Sequence, residues 1–69
     1  METIDARGLS CPEPVLMLRA AMQSNDTEYT LITDNLATRE NTLRFGEHKG
    51  YAVAVTETAG EYTLYFTKR

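Results

Sequence analysis

Cys11 is the residue whose surroundings most clearly prepare it for chemistry. It stands in Asp5-Ala6-Arg7-Gly8-Leu9-Ser10-Cys11-Pro12-Glu13-Pro14-Val15. A proline after a residue pushes that residue toward extended backbone, the conformation a helix N-cap needs. Pro12 suits the first helical position, where a missing N–H costs nothing. Pro14 still falls within the first turn, and its ring points back toward Ser10, outside the helix. The pattern predicts Cys11 as the N-cap of a helix, near unpaired N–H groups that include those of Glu13 and Val15. The positive end of the helix dipole there favours thiolate over thiol. Arg7 can add positive charge, and Glu13 opposes it.

Free cysteines are often small buried apolar residues, so Cys11 has a purely structural reading as well. Cysteine, however, is a weak N-cap, by about 1 kcal/mol against Ser, Thr, Asp or Asn. A chain of 69 residues has little stability to spare. A local choice that costs stability points to function. The chain has one cysteine and one histidine, His48. An intramolecular disulfide and a zinc site built from Cys and His are therefore excluded. A Cys-x-x-Cys redox pair is excluded too, because position 14 is proline. A papain-like pair would need His48, which reads as a solvated or helix-C-terminal residue. What remains is a cysteine that receives a group and passes it on.

The composition agrees with a small folded domain over residues 1–69. Apolar residues make up 42% and charged residues 25%, so the chain does not read as disordered. Ten acidic and seven basic residues give a net charge of −3 and a pI near 4.9. That balance gives no default attraction to nucleic acid or an anionic membrane. The longest apolar runs, 15–18 and 51–55, fall far short of the about 20 residues of a membrane span. No apolar leader is visible. An unpaired cysteine fits a reducing compartment, and the expected location is cytoplasmic. No cluster implies a metal or an organic cofactor.

The elements that must position Cys11 follow from periodicity. Residues 2–6 alternate and read as a short strand ended by Gly8. From Pro12 the pattern is helical: Val15, Leu18 and Met22 form a stripe, widened by Leu16 and Ala20 or by Met17 and Ala21. Ser24, Asn25 and Asp26 end it. Residues 28–34 read as a strand. A second helix is expected from about 37 to 48, started by Asp34 and Asn35 or capped by Thr38. Its apolar positions Ala37, Leu43 and Phe45 are sparse, so the helix reads as partly exposed, and Gly50 stops it. Residues 51–58 and 61–67 read as a hairpin about Ala59-Gly60. Val53 and Val55 share one face, as do Tyr62, Leu64 and Phe66. Thr56, Thr58, Thr63, Tyr65 and Thr67 face the other way. The order β-α-β-α-β-β predicts a two-layer α/β sandwich with both helices on one face of the sheet and the Thr-rich face solvated.

The motif Asp5-x-Arg7-Gly8-Leu9-x-Cys11-Pro12-x-Pro14-Val15 resembles the signature of the TusA/SirA sulfur-carrier family, whose hallmark is Cys-Pro-x-Pro opening the first helix. The resemblance spans essentially the whole chain and implies a mixed four-stranded sheet in the order 1-2-4-3. Asp34-Asn35-x-Ala37-x-x-x-Asn41-x-x-Arg44-Phe45, then Gly50-Tyr51, is similar to the N-terminal domain of YedF-type proteins. The TusA branch proper has Asp-Pro-Ala-Thr at this place, and position 35 here is Asn. The resemblance implies that Cys11 accepts sulfane sulfur as a persulfide from a cysteine desulfurase or rhodanese-like donor. It implies a sulfurtransferase-type relay to an acceptor protein, with a DsrE-like protein as one candidate, and no cofactor beyond the transient persulfide. Asp5, Arg7, Gly8, Pro12, Glu13 and Pro14 are the supporting motif positions. Of the motif positions upstream of the cysteine, Arg7 is the foremost candidate to touch a partner or the anion. Asn35, Asn41 and Arg44 match the second motif, either as caps and solvated positions or as partner contacts. The competing readings are a selenium carrier using the same thiolate and a non-catalytic binding or regulatory module.

Overall fold

Burial on one face organises the outer strands of the sheet, a central strand is buried on both faces, and small residues bring the second helix onto the sheet. The computed structural model describes residues 2–10, 12–24 and 26–69. The elements are β1 (Glu2–Asp5), α1 (Glu13–Met22), β2 (Glu28–Thr33), α2 (Leu36–His48), β3 (Tyr51–Thr58) and β4 (Glu61–Lys68). The sheet order is β1-β2-β4-β3. β1 runs parallel to β2, and β4 runs antiparallel to both β2 and β3. This is the expected two-layer arrangement and the strand order implied by the resemblance.

The register lines Ile4, Leu31, Leu64 and Val55 across the helix-bearing face. Ile4, Leu31 and Leu64 are buried there with Ala6, Tyr29, Tyr51 and Phe66, against Leu18 and Ala21 of α1. On β4, Tyr62, Leu64 and Phe66 face inward, while Tyr65 and Thr67 are exposed on the far side. Of the two widenings of the α1 stripe, the structure takes Met17 with Ala21. Leu16 stays 52% exposed and Ala20 is exposed.

The second helix is partly exposed, as its sparse apolar positions predict, but its buried stripe is not made of them. Ala37 is exposed, and Leu43 and Phe45 are only half-buried. The buried stripe is Thr38, Thr42 and Gly46, spaced four apart. Thr42 Oγ donates to the Thr38 carbonyl at 2.7 Å, so its hydroxyl is satisfied inside the helix. Gly46 has no side chain, and its Cα faces the Phe66 ring so closely that a Cβ would overlap it. An apolar count misses this stripe because close approach, not hydrophobicity, selects it. Asn35 rather than Thr38 caps the helix: its side-chain oxygen accepts the Thr38 N–H at 3.1 Å. At the hairpin both Ala59 (φ 52°) and Gly60 (φ 81°) are left-handed, as a two-residue turn between twisted strands requires.

Candidate functional site

Strand direction gathers the site. β1 and β2 are parallel, so their C-terminal ends, and the helix starts that follow them, lie at one end of the sheet. β4 runs the other way, so its first residue, Glu61, lies at that end too. Asp5, Arg7, Gly8, Pro12, Glu13, Pro14 and the N-cap Asn35 are thereby brought to one end. Asn41 and Arg44 are not: they sit further along α2, paired with each other through a 3.4 Å bond from Arg44 Nη2 to Asn41 Oδ1. Cys11 lies outside the described residues. Its neighbours Ser10 and Pro12 are exposed.

The chain leading to Cys11 is tied at successive points. Ala6 N–H donates to the Ile32 carbonyl at 2.8 Å, extending the β1–β2 pairing by one residue. Leu9 N–H turns back to the Ala6 carbonyl at 3.2 Å. Gly8 takes φ +77° in that turn, which a Cβ would strain although it would meet nothing. Gly8 N–H then donates to Asp34 Oδ1 at 3.1 Å, a crosslink to the end of β2. Leu9 is half-buried and packs against the core. On the helix side, Pro14 is buried.

The helix start differs from expectation by one residue. Pro12 occupies the N-cap, with no side-chain cap, and Pro14 lies in the first turn. The Pro12 carbonyl accepts the first helical bond, from Leu16 N–H at 3.1 Å. Glu13 N–H was expected to be unpaired and is not: it donates to the Ser10 carbonyl at 3.1 Å. Two prolines leave the first turn few donors, and the Ser10 carbonyl takes this one.

Arg7 is held by carboxylates. Its Nε and Nη2 make a two-pronged contact with Asp5, each at 2.9 Å, and its backbone N–H donates to Asp5 Oδ1 at 3.1 Å. Nη1 reaches Glu61 Oε2 at 3.3 Å. The side-chain hydrogen bonds from Arg7, then its backbone N–H, hold the Asp5 carboxyl down to about 2. The Arg7 guanidinium is pushed further above its ordinary value, first by Asp5 and then by Glu61. With Glu13 and Asp34 at the same end, the surroundings of the α1 start are acidic, and the charge of Arg7 is matched by its two partners. This ion-paired cluster is exposed, so it orients the loop more than it stabilises the fold.

Residues 2–68 match the sequence profile of the family described as sulfurtransferase TusA. The chain belongs to the TusA family. The crystal structure of a SirA-like protein from Desulfitobacterium hafniense is similar throughout, with a TM-score of 0.88 and 30% sequence identity. The match covers 97% of this chain and 96% of that one. Family membership carries a sulfurtransferase or sulfur-carrier role at the level of the family, working with donors and acceptors in general.

Asp34 and Glu61 are the site residues that sequence reading missed. The sequence offers Asp34 as a helix-start residue and as the first position of the second motif, not as a partner of the Gly8 turn. Asp34 meets Gly8 because the parallel pairing of β1 with β2 brings their C-terminal ends together, and no local pattern in the sequence shows that pairing. Glu61 lies 54 residues from Arg7 in sequence, and no local pattern connects them. His48 is the last residue of α2. A helix of that length carries it about 18 Å from the α2 start, at the opposite end from the start of α1. Among the described residues no cluster of His, Cys, Asp and Glu could hold a metal ion, and no helix is long and apolar enough to cross a membrane.

Proposed function

We infer that this TusA-family chain carries sulfane sulfur as a persulfide on Cys11. The observation that carries the reading is the lone thiol of the Cys-Pro-x-Pro motif, placed in sequence immediately before the N-cap Pro12 of α1. In the proposed cycle the Cys11 thiolate attacks the terminal sulfur of a donor persulfide. A new S–S bond forms, the donor S–S bond breaks, and the donor leaves as a thiolate. An acceptor nucleophile then attacks the terminal sulfur on Cys11, and the Cys11 thiolate is released. No external oxidant or reductant is needed, because the sulfur moves without changing its oxidation state.

The donor we propose is a cysteine desulfurase or a rhodanese-like protein, and the acceptor a second sulfur-transfer protein. The positive end of α1 favours both the thiolate and the persulfide anion. The acidic neighbours Asp5, Glu13, Asp34 and Glu61 oppose it. Arg7, paired with two of them, reduces that opposition. In this reading Asp5, Gly8, Asp34 and Glu61 shape the loop that presents the thiol. Incubation with a cysteine desulfurase and free cysteine tests the proposal by intact mass. The expected result is a gain of one sulfur atom in the wild type and none in Cys11→Ser. Equal gain in both proteins, or no gain where a known carrier loads, refutes it.

A further inference from the structure

A second charged feature lies at the other end of the molecule. The C-terminal ends of α1, α2 and β4 and the first residue of β3 border an open cavity of about 300 Å³. Arg19, Lys49 and Lys68 line it, with Met22, Phe45 and Tyr51 as its apolar wall. Among the described residues no carboxylate side chain lines it, although the chain has ten acidic residues and seven basic ones. Among the described residues the ion pairs engage Arg7 and Arg39 and none of these three cations. The two ammonium groups are held by rings instead. Lys49 Nζ lies 5.6 Å from the Phe45 ring centre, and Lys68 Nζ 5.8 Å from that of Tyr51. A ring face holds a cation without neutralising it, so the charge stays available to an anion.

Helix dipoles explain only part of this. Cations are favoured near helix C-termini, each of which carries about half a negative charge. Two such ends leave the three cations with an excess of about two positive charges. We propose that this cavity is a binding site for a small polyanion bearing phosphate or clustered carboxylate groups. Its volume is at the low end of ligand sites, which run from about 300 to 1,000 Å³, so it suits one small ion better than a nucleotide. The ten residues of α1 set it about 15 Å from the start of that helix. Occupancy is therefore independent of the persulfide proposal and needs no intact thiol.

The test is a titration of the whole, isotopically labelled protein with inorganic pyrophosphate, followed by amide NMR against sodium chloride at matched ionic strength. The expected result is saturable movement of the amides of Gln23, Lys49, Tyr51 and Lys68 with pyrophosphate only. Lys49→Gln and Lys68→Gln each weaken binding about tenfold, the loss of one charge-assisted contact. Arg39→Gln, at the other end of α2, leaves binding unchanged, and Cys11→Ser does likewise. The spectra of the variants themselves report whether they remain folded. Shifts that fail to saturate, shifts spread over all basic residues, or binding by the two lysine variants as tight as that of the wild type overturn the proposal. A hexapeptide of alternating Asp and Glu is the second arm. Tighter binding of that peptide than of pyrophosphate overturns the small-ligand assignment and makes the cavity a docking surface for an acidic protein segment.

Discussion

Replacing Gly46 by alanine is expected to destabilise the protein, against the usual direction for a glycine inside a helix. In an open helix the change would gain about 0.5–1 kcal/mol from reduced backbone freedom. Here an added Cβ would lie 2.5 Å from Phe66 Cδ2 and 3.4 Å from Val53 Cγ2. Phe66 is fully buried, so its ring cannot swing into solvent, and α2 must move away from β3 and β4. Overpacking of this kind costs about 1–3 kcal/mol. The net expectation is a loss of about 1–2 kcal/mol. For a domain of this size that lowers Tm by roughly 5–15 °C. Circular dichroism melts of wild type and Gly46→Ala measure it. A cycle with Phe66→Leu adds a second test, because a shorter side chain leaves room for the methyl. Gly46→Ala should then cost at least about 0.5 kcal/mol less in the Phe66→Leu background. An unchanged or raised Tm for Gly46→Ala, or strict additivity in the cycle, refutes the close-approach argument.

Other consequences are equally open to measurement. Asn35→Ala removes the cap of α2 and should cost about 1 kcal/mol, while Asn35→Asp, which keeps an acceptor and adds favourable charge, should restore it; chemical denaturation decides. Thr38 Oγ1 is buried without a hydrogen-bond partner, so Thr38→Val should raise stability by about 1 kcal/mol, and a lower denaturation midpoint would show that the hydroxyl is satisfied after all. Two shifted groups make stability depend on pH. Asp5 titrates near 2 because Arg7 stabilises its carboxylate; its contribution is complete above the ordinary value of about 4 and is lost as pH falls through about 2. An NMR titration should find Asp5 back in the ordinary range in Arg7→Gln. Burial first, then the neighbouring Tyr29, raises the Tyr51 phenol; stability should therefore fall as pH rises above the ordinary tyrosine value of about 10, and less so in Tyr51→Phe.

The periodic parts of the chain were legible. Alternation in 61–67 and the stripe through Leu18 give the strands and the first helix, because burial on one face imposes those periods. The second helix was legible as a helix but not in its facing. Thr38, Thr42 and Gly46 carry no apolar signal, and only contact with Phe66 and its neighbours selects them. At the site, Cys-Pro-x-Pro and the residues before it are local, so their gathering could be read. The partners of that segment could not, since Asp34 and Glu61 reach it through strand register. The charge on Arg7 could be read, but not its engagement by two carboxylates. The cationic cavity was invisible for the same reason: Arg19, Lys49 and Lys68 are far apart in sequence and meet only when the ends of α1, α2 and β4 do.

The central claim is that Cys11 holds transferable sulfane sulfur, and cyanolysis tests it most directly. Protein loaded by a cysteine desulfurase and freed of substrate is treated with cyanide, which removes terminal sulfur as thiocyanate and leaves the cysteine thiolate. The account predicts one thiocyanate per loaded chain, return of the mass to that of the unloaded protein, and no thiocyanate from Cys11→Ser. Loaded wild type that releases no thiocyanate, or Cys11→Ser that releases as much as wild type, would contradict it.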